Sequence, residues 1–305
     1  MNIFHNFDRP GNYLKNIVIS IGNFDGIHLG HQKILKELIQ EAAMCEGTPL
    51  VLTFIPHPLT ILAPEKSPPL LTRIKDRLLL IQKYGIDNIL LINFDKRFSE
   101  ITPEIFIKDY LVNQLRIKKI VIGQNYFFGR NKQGNIDFLK KYAKVYNFNV
   151  KVVLPFIIDN QILSSSKIRF FIKNGDLENA KKYLGRDYFI RGKVVSGESR
   201  GRTIDIPTAN LQELPVLLPP CGVYYTKVIY KEKEYRGATN IGIRPTFGDN
   251  QNKIVETHIL DFNEFLYHQE ITIRFIKKIR DEIKFSSIEE LKAQVKRDIE
   301  KIKQI

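Results

Sequence analysis

Residues 17–31 read IVISIGNFDGIHLGH, and a helical pattern follows them from residue 32 to residue 44. The continuous apolar run from Ile17 to Ile21 is typical of a buried strand. Apolar side chains from Ile34 to Ile39 then fall on one face of a helix. The stretch therefore predicts a strand, a glycine-rich loop and a helix, which together begin a βα unit.

The same alternation of strand and helix continues to about residue 185. Further apolar strands are predicted at residues 49–54, 88–93, 118–123 and 150–155, with helices near residues 74–84, from residue 102 and at 136–146. Thr102 followed by Pro103 is a typical helix start, because threonine caps the first turn and proline fits its first position. Continuous apolar strands, each followed by a helix, predict a Rossmann-like α/β domain with a parallel sheet covered on both faces. Ligands of such sheets bind beyond the carboxyl ends of the strands.

The pattern changes after residue 185, where short strand-like segments separated by glycine and proline replace the helices. Six strands are predicted at residues 189–195, 209–214, 223–230, 235–241, 255–261 and 271–276. This favours a six-stranded antiparallel β-barrel. We therefore expect two domains, residues 1–185 and residues 186–305.

A terminal helix is predicted after the barrel strands. Ser286 or Ser287, with Glu289 or Glu290 three residues later, can form a capping box at its start. The apolar residues that recur at helical spacing and are expected to face inward are Leu291, Val295 and Ile299.

Composition and charge exclude several classes of protein. The 305 residues include 47 basic and 33 acidic side chains, which leave a net charge of +14 and favour anionic partners. The two cysteines, Cys45 and Cys221, stand in no metal-ligand spacing and indicate neither a disulfide framework nor a zinc ribbon. No apolar run approaches the ~18 residues that cross a bilayer, and Asp8 and Pro10 interrupt the position of a signal peptide. We expect a cytoplasmic protein.

The loop at residues 22–31 has the chemistry of a phosphate site. Its three glycines let the backbone come close to a ligand, and the following helix offers N–H groups and a partial positive charge. It contains neither a P-loop nor a Gly-x-Gly-x-x-Gly dinucleotide motif. His28 and His31 can donate hydrogen bonds to phosphoryl oxygens. A zinc pair and two satisfied surface histidines are the alternatives, and nucleotide chemistry is favoured over a metal site because zinc needs a third ligand and usually a nearby glutamate.

A second glycine-rich segment, residues 192–202, runs from a strand into a basic loop and precedes Pro207-Thr208-Ala209-Asn210. Backbone N–H groups of such a loop can surround phosphates. Thr208 and Asn210 add a hydroxyl and an amide oxygen, which are hard ligands that suit Mg²⁺ carried by ATP. The alternative for this segment is a polar turn between two strands.

Several of these motifs occur in an order that resembles the prokaryotic bifunctional riboflavin kinases/FMN adenylyltransferases. Those in the first half are residues 22–31, 53–58, 123–129 and 164–169. Those in the second half are residues 222–224, 240–247 and 255–262, which resemble the riboflavin kinase barrel. The resemblance implies an enzyme that phosphorylates riboflavin with ATP to give FMN. It also implies transfer of AMP from a second ATP to FMN, with FAD and pyrophosphate as products.

The resemblance implies roles for residues of the first half. The two histidines and the backbone around them would hold the ATP phosphates, and residues 164–169 would close over the triphosphate. Asn125 and the aromatic residues after it would seat the flavin, although Phe127 and Phe128 by themselves are typical of a core. The residues expected to bind ATP or FMN are Gly22, Asn23, Phe24, Asp25, Gly30, His57, Asn125, Ser164, Ser165 and Ser166. The expected catalytic residues are His28, His31 and Arg169.

In the second half, the resemblance makes Glu256 the general base. This carboxylate would accept the proton of the ribityl 5′-hydroxyl, whose oxygen attacks the γ-phosphorus of ATP. Without the resemblance, a strand glutamate is ordinarily a solvated residue. The residues expected to bind ATP or flavin are Gly197, Gly201, Arg202, Thr208, Asn210 and Arg280, of which Thr208 and Asn210 are the expected Mg²⁺ ligands.

Three positions depart from the family pattern. Gln124 stands where an acidic residue is often found, and Asp205 and His268 each replace a glycine. A carboxylate beside ATP would repel its phosphates. We expect Arg200 or Arg202 to neutralise the Asp205 carboxylate locally, so that it does not face the ATP phosphates.

Two other classes of protein fit parts of the pattern. Synthetases that charge tRNA share the histidine motif and the chain is basic, but no anticodon-binding helical domain is predicted. A flavin-binding module without turnover would not need Glu256 or the histidine pair. We therefore expect riboflavin, FMN and ATP as small-molecule partners, with neither nucleic acid nor membrane among them.

Overall fold

The structure is a computed structural model that describes residues 1–6, 8, 10–196, 206–212, 214–244 and 252–305. The chain divides into two compact units, Met1–Ser164 and Ser165–Ile305. Each unit has its own main sheet.

The first unit contains a six-stranded sheet in which every neighbouring pair is parallel. The strand order is β1-β4-β3-β2-β5-β6. The strands are β1 (Asn2–His5), β2 (Val18–Ile21), β3 (Pro49–Ile55), β4 (Asn88–Asn93), β5 (Lys119–Gly123) and β6 (Asn149–Val153). The predicted parallel α/β sheet is confirmed. The sequence did not indicate β1, because this edge strand is mostly exposed and has no continuous apolar run.

Helices follow the strands of the first unit as the alternation predicted. They are α1 (Leu29–Met44), α2 (Pro58–Leu62), α3 (Ile74–Lys83), α4 (Lys96–Ser99), α5 (Pro103–Ile105) and α6 (Ile136–Tyr146). The hydroxyl of Thr102 accepts from the Ile105 N–H and caps α5, as expected. This helix then continues as a π-helical segment, Phe106–Gln114. A short hairpin of β7 (Ile157–Ile158) and β8 (Gln161–Ile162) lies near the end of the unit.

The core of the first unit lies on both sides of its sheet. All four residues of β2 are buried, and Ile19, Leu50 and Ile120 have no exposed surface on their respective strands. Helix α1 packs on β2, β3 and β5. Continuous burial explains why these strands read as apolar runs rather than as alternating ones.

The second unit begins with two helices that the sequence did not indicate, α7 (Ser165–Lys173) and α8 (Leu177–Leu184). Six antiparallel strands then close into a barrel in the order β10-β13-β12-β11-β14-β9. The strands are β9 (Phe189–Val195), β10 (Ala209–Leu211), β11 (Gly222–Tyr230), β12 (Lys233–Arg244), β13 (Asn252–Ile259) and β14 (Glu270–Arg280). The predicted six-stranded barrel is confirmed, although β10 is shorter than residues 209–214.

Alternation along the barrel strands separates an inner face from an outer face. In β13, Val255, Thr257 and Ile259 are buried, whereas the residues between them are half-buried. The hydroxyl of Thr257 accepts from Thr239 over 2.8 Å, and the Thr239 and Thr226 hydroxyls lie 2.7 Å apart. This chain of buried hydroxyls satisfies its members internally and ties three strands together.

The last helix, α9 (Ile288–Lys303), packs on the outer face of β12. Ser287 caps it by accepting from the Glu290 N–H, and the Glu290 carboxylate accepts from the N–H and the hydroxyl of Ser286. The predicted capping pair therefore forms. The glutamate accepts from Ser286, the residue before the N-cap, whereas in a capping box it accepts from the N-cap residue itself. The three apolar residues expected to face inward are only half-buried, and the fully buried side chains are Asp298 and Ile302.

Asp298 is buried because it meets Arg280 at the end of β14. The guanidinium donates to both carboxylate oxygens, with Nε 2.9 Å and Nη2 2.8 Å from Oδ2. Gln294 also donates to this carboxylate, over 2.9 Å. A two-pronged pair of this kind fixes orientation as well as charge, so it joins α9 to the barrel.

Cys45 and Cys221 are half-buried free thiols, as the sequence analysis expected. Across the described part of the chain, no helix is both long and apolar enough to span a membrane.

One prediction concerns Glu41, a buried residue of α1 whose carboxylate accepts from Lys119 of β5. This hydrogen bond holds the pKa of Glu41 below its usual 4.5. The stabilisation is therefore present above pH ~4.5 and is lost as the pH falls through the lowered pKa. We expect Glu41→Gln to lower the free energy of unfolding by about 2 kcal/mol at pH 7. Urea unfolding at several pH values should show this difference shrinking in acid.

Glu37→Gln is the matched control, because Glu37 lies on the same helix in a more exposed pair with Lys151. Its effect should be below about 1 kcal/mol at pH 7. A loss for Glu41→Gln that did not change with pH would contradict the ion-pair origin of the stabilisation.

Candidate functional site

The candidate site of the first unit lies at the carboxyl edge of its parallel sheet. The strand order changes direction at β2, which has β3 on one side and β5 on the other. The loops after neighbouring strands diverge at such a point and leave a crevice for a ligand. The predicted motifs at residues 22–31, 56–58 and 124–129 follow β2, β3 and β5. The sheet therefore places all three motifs at the same edge.

Asp25 anchors the loop after β2. Its side chain is almost wholly buried, and its carboxylate accepts from the N–H groups of Leu71 and Thr72 and from the Thr72 hydroxyl over 2.9–3.1 Å. The Gly26 N–H donates to the same hydroxyl. These contacts support the shape of the loop, and the predicted role of Asp25 in binding ATP or FMN stays a prediction.

The backbone of this loop is unusual. Phe24 has φ of 50° and Ile27 has φ of 39°, in the left-handed region that a β-branched residue rarely adopts. Both side chains are buried. Strained conformations of this kind persist where the surroundings impose them, and they concentrate at functional sites.

His28 and His31 lie at the first turn of α1. The buried His28 is the N-cap residue, and its Nδ1 accepts from the His31 N–H over 3.2 Å. The two rings are stacked, with centroids 3.6 Å apart. Because Nδ1 accepts, the neutral His28 ring carries its proton on Nε2. A β-carbon on Gly30 would lie 3.1 Å from the His28 ring, so glycine permits this arrangement.

Asn23 and His57 join the loops after β2 and β3. The amide of Asn23 lies 3.1 Å from Nε2 of His57, while Nδ1 of His57 accepts from the Leu59 N–H and caps α2. The amide atom at this distance is Nδ2. A neutral ring that accepts at Nδ1 carries its proton on Nε2, so a hydrogen bond here requires the amide to be turned so that its oxygen accepts. The contact brings together two residues that the sequence analysis assigned to one nucleotide site.

Aromatic side chains line the core beneath the loops after β3, β4 and β5. Rings within about 6 Å of one another connect Phe54 to Tyr126 through Phe94, Phe98, Phe106 and Phe128. Burial of the Tyr126 phenol raises its pKa. The core assignment is confirmed for Phe128 but is wrong for Phe127, which is 56% exposed because it points away from the cluster. Asn125 and Gln124 are exposed beside it.

The predicted second nucleotide motif spans the boundary between the units. Ser164 ends the first unit, whereas Ser165, Ser166 and Arg169 belong to α7 of the second. Arg169 is buried and Ser166 is exposed. The two nucleotide motifs of the first predicted domain therefore lie in different compact units.

Three of the predicted kinase residues of the second unit, Asn210, Glu256 and Arg280, lie on one row of the barrel. Asn210 of β10 is directly opposite Glu256 of β13, and both are half-buried on the outer face. On its other side, Glu256 is directly opposite Asn240 of β12. Asn240 is in turn opposite Val223 of β11, and Val223 is opposite Arg280 of β14. Closure of the barrel thus brings Asn210, Glu256 and Arg280 onto one band.

A groove of about 550 Å³ lies between this outer face and α9. It has an apolar surface from Ile206, Leu260 and Ile299, and a polar part in which lysines of α9 predominate. His258, which follows Glu256 by two residues and so shares its face of β13, is also in the lining. The remaining lining residues are Asp261, Lys292, Lys296, Glu300 and Lys303.

Other predicted positions have different outcomes. Thr208 is half-buried two residues before Asn210. His268, which replaces a glycine, has φ of 66° and so takes the left-handed conformation that favours glycine, in a turn where its N–H donates to Val194. The predicted residues that lie outside the described part of the chain are Gly197, Arg200, Gly201, Arg202 and Asp205.

The sequence analysis missed Asp298 and Asn240, and each had a signal. Asp298 falls on the apolar stripe of α9, seven residues after Leu291, where an acidic side chain requires a buried partner. Asn240 lies on the same face of β12 as other half-buried residues of that strand. Within the described residues, no group of three or more His, Cys, Asp and Glu side chains is arranged to hold a metal ion.

Comparison with protein families divides the chain in two. A family model described as FAD synthetase matches residues 11–167, and a model described as riboflavin kinase matches residues 184–305. The two matches together cover most of the chain.

Comparison with individual proteins extends this result. A Haemophilus influenzae protein named bifunctional riboflavin kinase/FMN adenylyltransferase is 36% identical over 304 residues, covering 99% of this chain and 98% of its own. A protein of the same name from Buchnera aphidicola subsp. Schizaphis graminum is 39% identical over 291 residues, covering 94% of this chain and 93% of its own. Another from Escherichia coli K12 is 37% identical over 282 residues, covering 92% of this chain and 90% of its own.

A solved structure described as a macrolide-efflux protein from Streptococcus pneumoniae matches with a TM-score of 0.87 at 29% identity. The match covers 100% of both chains. The likeness concerns the fold, and the efflux activity in that description is said of the other protein.

The support that Asp25 gives to the loop after β2 leads to a prediction. Asp25→Ala leaves the buried Leu71 and Thr72 donors without their acceptor, at about 1–3 kcal/mol for each unsatisfied group. We expect the free energy of unfolding to fall by about 3 kcal/mol, as measured by urea unfolding followed by circular dichroism. Asp8→Ala is the control, because Asp8 is exposed and accepts from the His5 N–H. Equal effects of the two substitutions would contradict the anchoring role.

Proposed function

This chain belongs to the bifunctional riboflavin kinase/FMN adenylyltransferase family, and from that premise we propose how it carries out the two reactions. The enzyme converts riboflavin to FMN and FMN to FAD. We assign FMN adenylylation to residues 1–185 and riboflavin phosphorylation to residues 186–305. The observation that carries this division is that His28 and His31 lie in one compact unit and Glu256 lies in the other.

For adenylylation, the ATP phosphates bind at the start of α1. The N–H groups of its first turn and the helix dipole attract the phosphates, and the backbone around Gly22 and Gly30 allows close approach. The Nε2–H of His28 donates to a phosphoryl oxygen as negative charge builds there, and His31 stacks beside it. From the family resemblance, Ser164, Ser165, Ser166 and Arg169 are assigned to ATP binding.

The flavin of FMN lies near the aromatic residues after β5. Asn125 and the exposed ring of Phe127 are both accessible for contact with it. An oxygen of the FMN phosphate attacks the α-phosphorus of ATP and forms a new P–O bond. The bond from the α-phosphorus to its bridging oxygen breaks, and pyrophosphate leaves with the electron pair. Asn23 and His57 support this site through the contact between their loops.

For phosphorylation, Glu256 accepts the proton of the ribityl 5′-hydroxyl of riboflavin. The hydroxyl oxygen forms a bond to the γ-phosphorus, and ADP leaves. No covalent enzyme intermediate is needed, so positioning and charge neutralisation supply most of the rate. Gly197, Gly201 and Arg202, which lie outside the described residues, are assigned to the ATP phosphates.

Thr208 and Asn210 are the proposed Mg²⁺ ligands. Their hydroxyl and amide oxygens are hard donors of the kind that Mg²⁺ prefers, and Asn210 lies directly opposite Glu256. When bound with ATP, Mg²⁺ neutralises charge on the phosphates. The donor set therefore fits the ion.

The groove between β13 and α9 is the proposed seat of the isoalloxazine ring. Its apolar surface suits a flat aromatic ligand, and its lysines suit the electron-rich carbonyl edge of the ring. Arg280 is assigned to the flavin phosphate side of this site. Its pairing with Asp298 limits that role to the guanidinium edge that the aspartate does not occupy.

The same assignments describe the cellular context. Both reactions consume ATP, and two free cysteines are usual in a reducing compartment, which supports a cytoplasmic location. The net charge of +14 is spread over many segments and suits phosphorylated substrates rather than nucleic acid.

Incubation of the purified chain with riboflavin, ATP and Mg²⁺, followed by chromatography of the flavins, tests the proposed function. FMN should appear first and FAD second, and chelation of Mg²⁺ should stop both steps. A chain that formed neither product at saturating ATP would overturn the enzyme assignment. FMN without FAD would restrict the activity to the barrel.

Two sets of variants separate the proposed sites. Glu256→Gln should lower riboflavin phosphorylation by ~10² to 10⁴, because a general base is lost, and should leave FMN adenylylation nearly intact. Replacing His28 and His31 with alanine should give the mirror result, with FMN accumulating in place of FAD. Rates are measured with riboflavin and with FMN as separate starting substrates. Loss of both activities in either variant would contradict the two-site model.

A further inference from the structure

Asn240 occupies the row of the barrel that holds the proposed kinase residues. It lies on β12 directly opposite Glu256, which is itself directly opposite Asn210 on β10. Their strand neighbours Thr239 and Thr257 are buried inside the barrel, so the three polar residues share the outer face. The base is thus flanked by one amide on each neighbouring strand.

The separation of these side chains follows from the geometry of the sheet. Directly opposed residues in an antiparallel pair have β-carbons about 4.5–5.5 Å apart. This distance is within reach of an asparagine amide and a glutamate carboxylate. The proposed function uses Asn210 as a Mg²⁺ ligand, but it gives no role to Asn240.

Gly242 shows where the Asn240 amide lies. It is two residues further along β12 and shares the outer face. A β-carbon on Gly242 would lie 3.4 Å from Nδ2 of Asn240 and 2.9 Å from Oε1 of Glu282. The absence of a side chain at Gly242 therefore leaves room for the amide nitrogen and for a second carboxylate beside it.

Asn240 lies directly across the ladder from Glu256, and its Nδ2 and the Oε1 of Glu282 both border the space that a β-carbon on Gly242 would fill. A side-chain amide carries two N–H donors, and an ionised carboxylate only accepts. An amide at this position can therefore donate to a neighbouring carboxylate, whereas another acidic side chain would repel it.

The position of Asn240 depends on the barrel and not on a loop. Its neighbour Thr239 joins Thr226 and Thr257 in the buried hydroxyl chain, with O–O distances of 2.7 and 2.8 Å. These contacts fix the registers of β11, β12 and β13 one residue away from the polar row. Residues held on strands in this way can keep a reacting group within the tolerance that catalysis requires.

We propose that Asn240 is a positioning residue for phosphoryl transfer, whose amide orients the Glu256 carboxylate toward the hydroxyl of riboflavin. The inference rests on the proposed role of Glu256 as the base. It adds a residue that acts through Glu256 and that touches neither ATP nor Mg²⁺.

The test compares two substitutions in the full chain. Asn240→Leu keeps the size of the side chain and removes its donors, whereas Asn240→Gln keeps the amide. Asn240→Leu should lower kcat for FMN formation ~10- to 100-fold, the effect of a small misplacement of a reacting group. The KM values for riboflavin and ATP should change less than about threefold. Asn240→Gln should recover most of the rate.

Two controls separate positioning from folding. FMN adenylylation, which is assigned to residues 1–185, should be unchanged in both variants. Glu234→Gln alters an exposed residue of the same strand, paired with Lys227 and Arg274, and should leave FMN formation unchanged. A fall in kcat with unchanged thermal unfolding supports the proposal. An Asn240→Leu enzyme with full kcat, or one whose loss lies in KM alone, overturns it.

A double variant shows whether Asn240 acts through Glu256. If it does, adding Asn240→Leu to Glu256→Gln should cause little further loss, because the group that it positions is already absent. Additive losses would overturn the positioning role. Full activity of Glu256→Gln alone would instead overturn the proposed base, and it would do so independently of the Asn240 result.

Discussion

The buried carboxylate of Asp25 is the constraint on which the first candidate site depends. It accepts from both backbone N–H groups and the hydroxyl of the Leu71–Thr72 segment, so the loop after β2 cannot move without leaving those groups unpaired. The left-handed backbone of Phe24 and Ile27 is tolerable only because this anchor and their buried side chains hold it. The loop then delivers His28 to the start of α1. An acidic residue inside a phosphate motif thus acts through the shape of the loop.

In the second unit, strand register holds the candidate residues in place. In a closed barrel each strand has two neighbours, so one row of residues passes around the wall and brings distant segments together. Glu256 therefore lies between Asn210 on one neighbouring strand and Asn240 on the other. The buried threonine hydroxyls hold the registers from inside, and the pair of Arg280 with Asp298 holds α9 outside. Between them these contacts form the groove beside the proposed base.

Much of the fold could be predicted because its signals are local. Apolar runs, glycine and proline breaks and the cap at Thr102 each depend on a few neighbouring residues, and they gave the parallel sheet and the six-stranded barrel. The edge strand β1 was not predicted, because it is mostly exposed and has no continuous apolar pattern. Phe127 and Phe128 are adjacent and chemically identical, yet one is exposed and the other is buried. That difference is set by the direction of the chain after β5, which composition does not record.

For the sites, the sequence by itself predicted which segments carry phosphate chemistry, because glycines, histidines and a helix start within one loop are the features of an anion site. It also placed Glu256 and Asn210 in the right unit. Only the tertiary structure decided what these residues meet. Asp25 finds its partners 46 and 47 residues away, and Arg280 finds Asp298 at a distance of 18 residues. Asn240 gains its place beside Glu256 from strand register, which follows from packing of the whole barrel and not from any local pattern.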